Sequence, residues 1–134
     1  MKIFLKSVLL AGLTVASLTA QAEAIDGKNN LVCAVFQWSE CSSDGCLAVS
    51  PDEIRGLRFL NVDFKGKKIM ARDPGDKRES DIRELVNRDY QIVLQGMEYS
   101  LAWTLTVDKS DGEMTFSGAR ENVVFSGFGH CTTD

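Results

Sequence analysis

The chain has 134 residues, with 15 Lys or Arg, 19 Asp or Glu, one histidine and a formal charge of −4. The acids are scattered and no basic face or basic amphipathic segment is present, which argues against nucleic acid and against a membrane surface as partners. Four cysteines in so short a chain make the redox compartment the first question.

Residues 1–24 read as a secretory leader. Lys2 and Lys6 give a positive start, Ser7 to Ala20 is uncharged and mostly apolar, and Ala20-Gln21-Ala22 and Ala22-Glu23-Ala24 offer small-x-small cleavage sites. The apolar stretch is short for a membrane span, and no membrane span is expected after its removal. Cleavage after Ala24 removes Lys2, Lys6 and Glu23, so the exported chain is one unit more acidic than the precursor. The remaining residues, 25–134, are enough for one domain with its own core. The expected location is the bacterial periplasm or the extracellular space.

The first strand signal is Leu31–Trp38, β-rich and apolar on both faces. Next comes Ser50-Pro51-Asp52-Glu53. A serine N-cap, a proline at the first helical position and a glutamate three residues on make a capping box, which Gly56 ends after about one turn. Leu60, Val62 and Phe64 alternate. A Lys65-Gly66 turn leads into Ile69 and Ala71, and Arg72–Ser80 is a polar loop. Ile82, Leu85 and Val86 fall at helical spacing after Ser80, so this segment reads as a short helix or an irregular crossing. Ile92 and Leu94 mark a strand that reverses near Gly96-Met97.

The strongest period-two signal follows: Tyr99, Leu101, Trp103, Leu105 and Val107 on one face, Ser100, Ala102, Thr104 and Thr106 on the other. Asp108–Glu113 is a turn cluster, Met114 and Phe116 continue inward, and Asn122–Gly129 is a further strand with Gly127 and Gly129 at bulge or bend positions. Seven to eight strands with tight turns and one or two short helical turns define a mostly β fold: a small antiparallel up-and-down barrel, or a sandwich.

The cysteines read as staples. Zinc needs convergent ligands, and His130 and Cys131 are neighbours on a strand-like segment, where successive side chains point to opposite faces. No metal or other cofactor is expected. Ser42–Gly45 between Cys41 and Cys46 is turn chemistry, which sets those cysteines opposite each other at about 4.5–5.5 Å between Cα atoms, within disulfide reach. Cys33 and Cys131 lie in the first and last strands, which are neighbours in a closed barrel. The expected pairs are therefore Cys41–Cys46 and Cys33–Cys131.

No catalytic motif emerges. Ser126 lacks the glycine frame of a nucleophile elbow, and the turn at Asp108–Glu113 lacks the spacing of a calcium loop. His130 has no evident catalytic partner in the sequence. Trp103 sits on a clean inward face and is expected in the core, whereas Trp38 is undetermined and open to exposure. Trp38, Trp103 and His130 are the candidate contacts for a ligand or partner. Cys33, Cys41, Cys46, "RFLNVDFKGKKI", "IVLQGMEYSLAWTLTVD" and the terminal "FSGFGHCTTD" together resemble small exported bacterial proteins of about this length with no assigned activity. The G-x-W entry motif of lipocalins is absent. The expected function is a monomeric, non-enzymatic binding or inhibitor module of the bacterial envelope, with a protein as its partner. The alternative is a lipocalin-like carrier of a small apolar ligand inside the barrel.

Overall fold

The computed structural model describes residues 23–50, 52–53 and 57–134. Residues 1–22 of the expected leader lie outside these, as do Pro51 and residues 54–56 of the expected helical turn. Part of that capping box is visible. The Ser50 N–H donates to Glu53 Oε2 at 3.1 Å, and the Glu53 N–H donates to the Ser50 carbonyl at 2.9 Å. No helix occurs among the described residues.

The described residues form nine strands: β1 (Leu31–Ser42), β2 (Gly45–Val49), β3 (Phe59–Asp63), β4 (Lys68–Ala71), β5 (Glu79–Asn87), β6 (Gln91–Glu98), β7 (Leu101–Asp108), β8 (Glu113–Arg120) and β9 (Val123–Thr133). All neighbours are antiparallel. β3 to β9 follow one another around the sheet, and β1 closes it by pairing with β3 on one side and β9 on the other. The result is a closed eight-strand barrel, with β2 as an extra strand. The sandwich alternative falls away. β1 is long enough to serve two neighbours on the same side: Leu31–Ala34 face β3, and Trp38–Ser42 face β2.

Two β-bulges set the phase of the inward residues. One lies in β1 between Val35 and Gln37, leaving Phe36 exposed and turning both Val35 and Trp38 inward. The other lies in β5 between Ile82 and Glu84. Residues 80–87 are therefore strand, not helix. Ser80 and Ile82 face in before the bulge, and Leu85 shares the face of Leu94 after it. Of the two glycines expected at bulge or bend positions, Gly129 pairs with Val35 at the β1 bulge, whereas Gly127 sits in regular register opposite Trp38. Tyr99, expected inward, is 97% exposed because the chain turns there, with φ at 52°.

Eight strands enclose a space that side chains can fill. Here Leu31, Val62, Ile92, Leu94, Leu105 and Val107 are essentially fully buried in it, each contributing roughly 1.5–3 kcal/mol. The two ends differ. At one end the N-terminal segment tucks under the barrel and buries Ile25. Asp26 accepts the N–H groups of Lys28 (2.8 Å) and Asn29 (3.2 Å), and Asn87 Nδ2 donates to the Asp26 carbonyl at 2.9 Å. The opposite end has no such plug among the described residues. The β1–β2 hairpin, the loop before β5 and the β6–β7 and β8–β9 turns gather there.

Candidate functional site

The open end is built over two tryptophans, each laid against a glycine on the neighbouring strand. Trp103 on β7 stands opposite Gly96 on β6, and Trp38 on β1 stands opposite Gly127 on β9. A Cβ on Gly96 would overlap the Trp103 ring, and one on Gly127 would come within 2.9 Å of the Trp38 ring. Glycine here gives an indole room to lie across the sheet. Phe116 joins the two rings. It meets Trp38 edge-on at 5.2 Å between centroids and stacks on Trp103 at 6.5 Å. Trp103 Nε1 donates to Ser80 Oγ at 2.8 Å. The Trp38 Nε1 is buried and finds no acceptor among the described residues.

Above this floor lies a cavity of about 90 Å³, with Leu57, Leu60, Ile69, Ala71 and Leu101 as walls and Arg78, Glu79 and Glu98 at the rim. Arg78 is held by Asp76 through a fork of hydrogen bonds, Nη2 to Oδ2 at 2.7 Å and Nε to Oδ2 at 3.0 Å. These bonds hold the Asp76 carboxyl below its ordinary range and raise the guanidinium further. Glu79 is engaged by Lys68. The mouth thus joins an apolar floor to a positioned cation and the Glu98 carboxylate. It has the size of a socket for one side chain.

Outside the barrel, a shallow depression of about 360 Å³ crosses β6 to β9, lined by Gln95, Ala102, Thr104, Ser117, Ala119 and Val124.

The structure distributes the sequence-expected residues as follows. Trp38 and Trp103 are both buried, at 1% and 5% exposure, so Trp38 is core and not surface. The two rings converge on Phe116. His130 lies elsewhere, exposed on the outside of β9 between Ala34 and Glu113 of its neighbouring strands. Cys33 pairs with Cys131 inside the barrel, and Cys41 pairs with Cys46 across the β1–β2 hairpin. No cysteine is free. Ser80 and Arg78 were not legible as site residues, because both fall in what reads as a polar loop. Ser80 is in fact an inward residue of β5, as is Ile82.

No family model, curated protein or solved structure matches this chain.

Proposed function

We propose that the protein is an exported, non-enzymatic recognition module of the bacterial envelope that binds another protein, an inhibitor being its concrete form. The observation that carries this reading is the filled interior. Two indoles, Phe116 and the aliphatic core leave a cavity of only about 90 Å³ within the barrel mouth, and the wider depression of about 660 Å³ beside it, over residues 77–81 and 97–99, is open to solvent. Ligand sites for small apolar molecules occupy about 300–1,000 Å³, so a carrier role is the weaker reading. With its core filled by side chains, the barrel acts as a rigid frame, and recognition falls to its hairpins and edges. Export is supported by the leader pattern and by two disulfides, which persist in oxidising compartments.

The test has two parts. Intact mass of the exported protein is expected to place its start at Glu23 or Ile25, and a start at Met1 would remove the export reading. Crosslinking in the periplasm, followed by mass spectrometry, is expected to give one dominant protein adduct. A co-purifying lipid with no protein adduct would favour the carrier.

A further inference from the structure

The recognition reading leaves open which surface does the binding. Among the described residues, β2 is the one strand with a single neighbour along its whole length. It lies beyond the end of β3 on the same side of β1, so no described strand covers its outer edge.

The register shows which main-chain groups that edge presents. Cys41 and Cys46 stand opposite each other at 4.0 Å between Cα atoms. So short a distance marks a non-hydrogen-bonded pair, whose N–H and C=O groups point away from each other. The alternation then fixes the rest. Leu47 bonds to Glu40 and Val49 to Trp38, whereas Cys46 and Ala48 turn their N–H and C=O groups to the free edge. Gly45 to Ala48 are all exposed, Leu47 at 74%.

Edge strands that must stay unpaired are commonly blunted by lysine, proline or a bulge. The sequence of β2, Gly-Cys-Leu-Ala-Val, has no charge and no proline, and its register is regular. The Cys41–Cys46 bond holds it in place, so a partner meets a pre-ordered template.

Charge selects the occupant. Residues 40–58 carry Glu40, Asp44, Asp52 and Glu53 against Arg55 and Arg58, and Arg58 is paired with Asp52 at 2.8 Å, which leaves Glu40, Asp44 and Glu53 as the acids around the edge. A second copy paired antiparallel about Leu47 brings Asp44 of one chain beside the Ser50–Glu53 turn of the other, so like charges meet. A foreign segment with basic ends has no such conflict.

We propose that β2 is a docking edge for an extended segment of a partner protein, which adds a strand by bonding to the main chain of Cys46 and Ala48. Its apolar centre packs on Leu47, and lysine or arginine toward its ends faces the surrounding carboxylates. The proposal rests on the recognition reading and names its surface.

The test uses the oxidised protein and the blocked peptide Lys-Thr-Val-Thr-Leu-Thr-Lys. With saturating peptide, amide exchange at Cys46 and Ala48 is expected to slow by about tenfold or more, while Leu47 and Val49 are protected with or without it. The same peptide with glutamate at both ends is expected to bind more weakly, by a margin that shrinks at high salt. Ala48→Pro removes an outward N–H and no bond to β1, so it is expected to weaken the lysine peptide about tenfold, the worth of one hydrogen bond. Leu47→Lys leaves the backbone intact and is expected to weaken it too, which covers failure of the proline variant to fold. Unchanged exchange at Cys46 and Ala48 would overturn the proposal. So would a dimer of the protein alone that Ala48→Pro splits, since the occupant would then be a second copy. If an envelope protein crosslinks equally to wild type and Ala48→Pro, the edge is wrong and the recognition reading stands.

Discussion

The indole of Trp103 is tied to Ser80 across the inside of the barrel, Nε1 to Oγ at 2.8 Å, with both residues buried. Two strands not adjacent in the sheet, β5 and β7, are thereby joined through their side chains, with β6 between them. A buried N–H that loses its acceptor costs about 1–3 kcal/mol. Ser80→Ala is therefore expected to lower the unfolding free energy by roughly that amount in urea titration, and Ser80→Thr, which keeps a hydroxyl, by less. Equal stability of Ser80→Ala and wild type would show that the bond contributes nothing.

Gly96 makes room for the same ring. Gly96→Ala sets a methyl against the ring and the Asp81 carbonyl. Overpacking of this kind costs about 1–3 kcal/mol, and the indole must shift. Loss of stability with a change in tryptophan emission is expected. Gly127→Ala, whose nearest ring atoms are 2.9 Å away, is expected to cost less. The reverse ranking would refute the idea that Trp103 is the tighter of the two.

Alternation was legible wherever a strand kept one phase, as in Trp103, Leu105 and Val107 or Leu60, Val62 and Phe64, all of which face inward. It was not legible across the bulges. The extra residue near Arg83 places Ile82 and Leu85 three apart on one side, which imitates a helix. Phe36 does the same to Val35 and Trp38, so the burial of Trp38 could not be read from its neighbours. Tyr99 looked continuous with the β7 pattern because a turn residue happened to fall in phase. The disulfide pairs were legible because hairpin spacing and barrel closure each leave one geometric solution. The mouth was hidden, since it joins Arg78, Ser80, Trp103 and Phe116 from three strands and a loop, and only the closed topology brings them together.

The two disulfides are expected to differ in worth. Cys33–Cys131 closes a span of 98 residues and Cys41–Cys46 a span of 5. Loop-closure entropy gives about 4–5 kcal/mol for the first and about 2 kcal/mol for the second. Cys33→Ser with Cys131→Ser is therefore expected to lower the unfolding midpoint more than Cys41→Ser with Cys46→Ser. Equal midpoints would contradict this ranking.

Acid is expected to loosen the plugged end first. The N–H groups of Lys28 and Asn29 hold the Asp26 carboxyl below its ordinary 3.8. The folded value is thus lower than the unfolded one, so the unfolded chain binds the proton more readily. The stabilisation is present above about 3.8 and fades as pH falls through the folded value. Amide exchange at Lys28 and Asn29 should rise in that window ahead of the β7 core amides, and Asp26→Asn should remove this pH dependence. Uniform exchange across both regions would count against it.

The seam between β1 and β9 has a consequence for the order of assembly. The chain is synthesised from its N-terminus, so β1 is the first strand to be completed and its partner β9 is the last. Val32 meets Thr132 and Leu31 meets Thr133, so almost the whole domain must be made before the cylinder shuts. Until then the chain is an open sheet with two raw borders, and closing so long a loop is slow. A protein truncated before Val123 keeps those borders permanently, and its expected fate is edge-to-edge aggregation, which light scattering of the refolded fragment would register.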